Sequence, residues 1–247
     1  MTDEAEEVRP LASPPCLAGE INPAYSGLVA PAPRAPDDVA GWRRSERHRL
    51  RSAREAMSVA ARQTVGTAIS GHLANLLRRQ FGDLRGRVFS GYWPIKAEPD
   101  LRLLMAALHA EGVLVALPLV ETKAAPLVFR RWTPETRMVR GDWNIPVPSP
   151  EAEVMTPDIA LAPLVGWTDE GFRLGYGGGY FDRTLAALSP RPFTIGIGLQ
   201  AARLLTIHPQ SHDIPLDAIV TEEGCVRPDW QASDHTRCGS AIWPLVD

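Results

Sequence analysis

Cysteine is scarce in this chain of 247 residues, and the three present, Cys16, Cys225 and Cys238, include no CxxC pair. An odd, scattered set excludes a disulfide framework and a cysteine-held zinc site, and it predicts reduced thiols in a cytoplasmic protein. No stretch approaches the roughly 18 consecutive apolar residues of a membrane span, so no membrane partner is expected. The segment MTDEAEEVRP is acidic and lacks the apolar run of a secretory leader. No Gly-Lys-Ser/Thr follows the glycine-rich stretch, which excludes the nucleotide P-loop. No Ser–His–Asp or Cys–His arrangement stands out, so covalent catalysis by a protein nucleophile is not expected. The basic residues form one short cluster without a recognised nucleic-acid module, which excludes a nucleic-acid partner.

What is present suits a globular domain. Hydrophobic residues make up 45% and charged residues 22%, and the length allows one substantial core. Charge is uneven. The chain carries −3, and residues 1–40 hold seven acids and two bases for −5, which leaves +2 for the rest. Arg43 to Met57 contains six arginines and two glutamates, a local +4. A mildly basic body with one concentrated patch suits a small anionic ligand.

Residues 1–38 are rich in Pro, Ala and acid without apolar periodicity, and they read as a disordered extension. WRRSERHRLRSAREAM is helical in composition. Ser58 reads as the N-cap of a second helix, with Val65, Ile69, Leu73, Leu76 and Leu77 at helical spacing and Gly82 as its stop. RVFSGYW (87–93) reads as a strand. Pro99 opens a helix on which Leu101, Leu104, Met105 and Leu108 share a face. Strands are predicted at 113–120, 127–132, 158–167, 193–199 and 217–222, with a loop carrying WNIPVPSP between the second and third of these. Alternating strands and helices predict a single α/β domain over 39–224 with a mostly parallel sheet, followed by a loose tail at 225–247. Ligands in such folds gather at the carboxyl ends of strands, so the loops after 87–93 and 158–167 are where the site is sought.

The second of these loops runs into RLGYGGGYFDRTLAAL, residues 173–188. Gly175 and Gly177 fit the dinucleotide fingerprint, but Tyr180 stands in its third glycine position. Consecutive glycines still let backbone N–H groups surround an anion, and the helix start behind them adds partial positive charge. Arg173 can supply a cation with fork geometry. Asp182 beside phosphate would be repulsive unless a cation lies between, and magnesium held by one or two carboxylates plus substrate phosphates resolves this. The plainer alternatives are a tight turn for the glycines and a helix-dipole role for Asp182.

APLVGWTDEGFRLGYGGGYFDRTL resembles the signature of the 5-formyltetrahydrofolate cyclo-ligase family, also called methenyltetrahydrofolate synthetases. WNIP at Trp143–Pro146, the segment Glu98-Pro99-Asp100 and HDIPLDAIVTE at 212–222 resemble further elements of that family. The resemblance covers about residues 41–224 and implies a three-layer, CoA transferase-like α/β fold. It implies an enzyme that uses ATP and Mg2+ to cyclise 5-formyltetrahydrofolate to 5,10-methenyltetrahydrofolate, releasing ADP and phosphate.

Carried over by position, the resemblance implies that Arg43 and Arg47, one helical turn apart, reach ATP from the N-terminal helix. Arg51 and Arg54 continue that stripe, for which a solvated basic face is the plain alternative. Arg173, Leu174, Gly175, Tyr176, Gly177, Gly178, Gly179, Tyr180 and Phe181 match the ATP loop, and Tyr176 to Tyr180 overlap the folate contacts. Some members have lysine where Gly178 stands, and Phe181 replaces a frequent tyrosine. Trp93, Glu98 and Trp143 match folate contacts, with a core role as the alternative for Trp93. The metal carboxylates map to Asp182 and to Asp213, with Asp217 one turn-length from the latter. Catalysis is then by positioning and charge, with Arg173 the foremost residue. The expected partners are the two small substrates, and the expected state is a monomer or weak homodimer. A non-catalytic folate- or nucleotide-binding protein on the same fold is the second reading. A sugar-phosphate or acyl-CoA enzyme built on Glu98 is the third.

Overall fold

A computed structural model describes residues 35–228. Most of the expected disordered extension, up to residue 34, and most of the expected tail, beyond residue 228, lie outside the described residues. Asp38 caps helix α1 (Val39–Glu55) by accepting from Gly41 N–H. Ser58 caps α2 (Val59–Phe81) by accepting from Ala61 N–H, and Gly82 at φ 63° ends it. Both ends of α2 therefore follow from local chemistry. Helix α3 begins at Arg102 and runs to Ala110, three residues later than its proline suggests. Pro99 instead gives its carbonyl to the buried Tyr92 hydroxyl.

The central sheet has eight strands, ordered β12-β11-β10-β7-β1-β2-β3-β6. Strands β1 (Val88–Ser90), β2 (Leu114–Leu119), β7 (Ile159–Pro163), β10 (Phe193–Ile197) and β11 (Ala218–Thr221) run parallel. Strands β3 (Val128–Arg131), β6 (Val154–Met155) and β12 (Gly224–Val226) join antiparallel. Strand β12 draws the first residues of the expected tail into the sheet edge.

Side chains point alternately to the two faces of the sheet, and the central parallel strands are buried almost throughout. Ile159 and Leu161 of β7, with Ile195 and Ile197 of β10, join Ile69, Leu73 and Leu77 of α2 and Met105 of α3 in one core. Ala162 and Ile219 face a second core with Leu50 of α1 and Leu185 of α4 (Tyr180–Ala187). The sheet is thus covered on both faces, the three-layer α/β arrangement expected.

Two strand boundaries differ from expectation. The apolar run DIALAPLVGW is broken after Pro163, and Gly166–Trp167 (β8) folds back on Arg173–Leu174 (β9) as a separate ribbon. Proline cannot donate to a ladder, and Val165 N–H turns to the Leu174 carbonyl instead. The stretch read as loop around WNIPVPSP forms a second ribbon, β4 (Met138–Arg140) with β5 (Pro146–Pro148). Strands β1 and β7 are neighbours from which the chain builds outward in opposite directions. This reversal opens a crevice beyond their carboxyl ends, where ligands of open α/β sheets bind.

Candidate active site

Helix α1 lies beside that crevice and sends its arginines into it. Arg47 donates to the Gly175 carbonyl at 2.8 Å, which ties the helix to the glycine loop. Burial pushes the Arg47 guanidinium below its usual value, and the charge of Arg43 adds to this. Arg43, Arg44, Arg47 and Arg51 line a cleft of about 750 Å³ whose other wall includes Tyr176 and Gly177. So many cations around a polar cleft attract a polyanion.

The glycine loop has the backbone its composition predicts. Gly177 adopts φ 96° and Gly179 φ 64°, regions that L side chains avoid, and Gly179 is the N-cap of α4. A Cβ at Gly178 would meet the Tyr180 ring at 2.8 Å, so a longer side chain there needs that ring to turn. The Gly178 carbonyl accepts from Arg183 at 2.5 Å, and the Arg183 guanidinium lies 5.0 Å from the centre of the Tyr180 ring. Arg183 thus brings a cation to the part of the loop where Gly178 brings none. Leu174 is buried, so only its backbone can face a ligand. The Phe181 ring packs against the second core, with Arg173 5.8 Å above it, and is not a free platform.

Two arginine–carboxylate pairs sit side by side behind the loop. Arg173, 8% exposed, donates to Asp182 Oδ1 at 2.7 Å and to the Ile214 carbonyl at 2.8 Å. Ile214 N–H donates to the same Asp182 oxygen at 3.1 Å. Arg43 bonds Asp213 Oδ2 at 2.5 Å and the carbonyls of Ile207 and His208 at 2.9 Å. Burial pushes the Asp213 carboxyl up, but hydrogen bonds from Arg43 and Gln210 N–H outweigh it and hold the group below the usual carboxylate range. Asp213, not Asp217, is the acid beside this cluster. Asp217 accepts from Thr194 N–H and hydroxyl at 2.7 and 2.6 Å, at the β10–β11 end.

The fit of this set to magnesium can be judged from its donors. Both named bonds to Asp182 fall on Oδ1, which leaves Oδ2 without a protein hydrogen bond among the described residues. No three His, Cys, Asp or Glu residues converge as a metal site among the described residues. One free carboxylate oxygen fits a magnesium ion that takes its remaining ligands from phosphates and water; it does not fit a protein cage.

Glu98 lies across the loop from the cleft. It is 6% exposed, and its oxygens accept from Tyr176 OH at 2.5 Å and Ile95 N–H at 2.9 Å. Burial raises its carboxyl above the ordinary range, opposed by Tyr176, Ile95 N–H, Arg54 and Lys96. The same burial, with Glu98 beside it, pushes the Tyr176 phenol up.

The aromatic candidates separate. Trp143 is 68% exposed at the tip of the β4–β5 ribbon and meets Tyr180 edge-on at 5.7 Å. Trp143 and Asn144 both have positive φ, a strain that clusters at ligand sites. Trp93 is half-buried against the first core and carries Arg102 over its ring at 5.2 Å, so its core role is met whether or not it touches a ligand.

A sequence model of the 5-formyltetrahydrofolate cyclo-ligase family matches residues 39–222. The chain belongs to that family. This cyclo-ligase relative is 26% identical over 181 residues to a 5-formyltetrahydrofolate cyclo-ligase of Haemophilus influenzae, covering 70% of this chain and 94% of that one. It is 28% identical over 176 residues to a Mycolicibacterium smegmatis protein of the same name, covering 68% and 87%. The NMR structure of Aquifex aeolicus 5,10-methenyltetrahydrofolate synthetase superposes with a TM-score of 0.63 at 26% identity, over 75% of this chain and 92% of that one. A Mycoplasma pneumoniae 5,10-methenyltetrahydrofolate synthetase shares the fold at TM-score 0.59 and 21% identity, over 73% and 98%. The resemblance read from the glycine segment and the α/β architecture both hold. No described helix is long and apolar enough to cross a membrane.

Within this cyclo-ligase, Arg43, Arg47, Arg173, Asp182, Asp213 and the glycine loop come together, with Glu98 joined to them through Tyr176. Arg54, Lys96 and Arg183 also reach the loop or Tyr176; the sequence places Arg54 on the α1 stripe and carries no signal for Lys96 or Arg183. Gly177→Ala probes the loop. An alanine at φ 96°, with its Cβ 3.4 Å from the Arg47 guanidinium, is expected to destabilise the cyclo-ligase by roughly 1–2 kcal/mol. Its KM for ATP should rise, measured beside a urea titration. Unchanged values on both counts would mean that the loop relaxes freely.

Proposed function

We propose that this chain converts 5-formyltetrahydrofolate and ATP to 5,10-methenyltetrahydrofolate, ADP and phosphate, with Mg2+, in the cytoplasm. The carrying observation is that one loop walls both halves of the site. Its Gly175–Gly177 side meets the arginines of α1, and its Tyr176 hydroxyl meets Glu98. ATP is assigned to the cationic cleft, its phosphates near the N–H groups at Gly177–Gly179 and the start of α4. The pterin is assigned to Glu98, whose carboxylate can accept paired N–H donors, with Trp143 and Tyr180 as aromatic neighbours.

The formyl oxygen is a poor leaving group. Transfer of the γ-phosphoryl to it breaks the bond to ADP and makes a formyl phosphate ester. Nitrogen 10 then attacks the formyl carbon and gives up its proton, the ring closes, and phosphate leaves with the oxygen and takes up that proton. Arg173, Arg43 and Arg47 stabilise charge on the moving phosphoryl, and the loop holds both substrates in line. Magnesium, when bound at Asp182, would neutralise phosphate charge there. Arg173 positions that carboxylate through Oδ1, and Oδ2 would be the oxygen to hold the ion.

Purified protein with both substrates and magnesium should generate the near-ultraviolet absorbance of the methenyl product. Binding of either substrate without product would favour the non-catalytic binding protein. Asp182→Asn is expected to raise the magnesium concentration needed for half-maximal rate about tenfold. An unchanged magnesium dependence removes Asp182 from the metal site.

A further inference from the structure

The proposed reaction gives no task to Arg54, the most buried charge of α1 at 4% exposed. Among the described residues, its three hydrogen bonds go to no carboxylate. Nε reaches the Lys96 carbonyl at 3.2 Å, Nη1 the Leu164 carbonyl at 3.2 Å and Nη2 the Tyr176 hydroxyl at 2.6 Å. A buried guanidinium without an ion-pair partner is costly, so its persistence needs a return. Each partner belongs to a different wall of the site: the loop after β1, the turn after β7 and the glycine loop.

The first wall is strained. Lys96 and Ala97, immediately before Glu98, both have positive φ, 48° and 59°. Such conformations are costly and persist where surrounding bonds dictate them. Arg54 supplies one of those bonds at the Lys96 carbonyl, and Glu98 N–H supplies another to the Ile95 carbonyl at 2.9 Å. The Tyr176 hydroxyl, held by Arg54, donates its own proton to Glu98. Lys96 and Arg51 flank the Tyr176 ring at 5.4 and 5.7 Å.

We infer that Arg54 is a positioning residue which, through the Tyr176 hydroxyl and the Lys96 carbonyl, holds the Glu98 carboxylate and the glycine loop in one frame. The two substrates then meet at a set separation. This rests on the reading of Glu98 as the folate anchor. The groups facing Glu98 are Tyr176, Arg54, Lys96 and the buried Tyr92. Burial raises the carboxyl, while the Tyr176 bond and the Arg54 charge draw it down. Removing either therefore lets it rise.

The test uses the full chain as Tyr176→Phe, Arg54→Lys, Arg54→Met and the Arg54→Met/Tyr176→Phe double variant. Carbon-13 carboxyl NMR, with the resonance assigned by Glu98→Gln, follows Glu98 without substrate. Its midpoint should rise by at least about half a pH unit in Tyr176→Phe and Arg54→Met, and less in Arg54→Lys. The KM for 5-formyltetrahydrofolate should rise about tenfold in both single variants, that for ATP less than about twofold, and the double variant should be no worse than Arg54→Met. Tyr176→Phe removes only a hydroxyl, so it decides the matter if Arg54→Met does not fold. A folded Tyr176→Phe with an unmoved midpoint and folate KM overturns the inference, as do fully additive effects. A shifted midpoint in a protein that neither binds nor turns over folate leaves the frame intact and rejects the folate reading instead.

Discussion

Arg173→Met is expected to lower kcat at least about 100-fold and to destabilise the fold by about 3 kcal/mol. The two effects have separate origins. Stability falls because Asp182 and the Ile214 carbonyl lose their bonds at 2.7 and 2.8 Å in a place little exposed to water. Removing one partner of a buried pair leaves the other uncompensated, and the partial exposure of Asp182 puts the loss at the low end of the 3–5 kcal/mol range. In the proposed reaction, activity falls because the cation assigned to the moving phosphoryl, which also aligns the Asp182 carboxylate, is gone. Methionine loses the guanidinium that lies 5.8 Å over Phe181 but fills much of the same space with an unbranched apolar side chain. Arg173→Lys restores charge without the two-pronged fork and should recover only part of the rate. Urea titration and kcat per folded molecule separate the terms. Lost stability with intact kcat would make Arg173 a structural residue only.

Glu98→Gln is expected to raise the KM for 5-formyltetrahydrofolate by about 10–100-fold, or roughly 1.4–2.7 kcal/mol, with that for ATP changing less than about threefold. A carboxylate can accept two donors from a pterin edge, whereas an amide presents one acceptor and one donor. The fold should tolerate the change, because a neutral side chain no longer bears the burial penalty that raises the Glu98 carboxyl. That raised value also sets a pH signature. If the proposed anchor binds as a carboxylate, kcat/KM for folate should decline as pH falls through a midpoint above the ordinary carboxylate range, and this limb should vanish in Glu98→Gln. A rise in the ATP KM instead would move Glu98 out of the pterin end.

Local chemistry was legible where one residue type meets one backbone need. The Ser58 and Gly82 ends of α2, the buried strands at β7 and β10, and the positive-φ glycines before α4 follow from adjacent residues. The small ribbons were not legible. Trp143 and Asn144, not the neighbouring Gly141, take the positive φ of the turn. The break after Pro163 hid inside an apolar run that is equally apolar on both sides. The burial of Arg54 was not legible for a related reason. Helical periodicity places it on a face with Arg43 and Arg47, but it cannot say which arginine will find carbonyls waiting in distant loops.

The sequence by itself determined the family signature, the α/β alternation, the glycine loop with Arg173 and Asp182, and the basic stripe on the first helix. Each is carried by neighbours within a few turns of chain, where backbone sterics and side-chain period act directly. Only the tertiary structure decided that Tyr176 meets Glu98 across 78 residues of sequence, that Arg173 and Arg43 neutralise Asp182 and Asp213, and that β1 and β7 lie side by side. Those contacts depend on strand order, and strand order is set by how two apolar faces of a sheet are covered, which no single segment encodes.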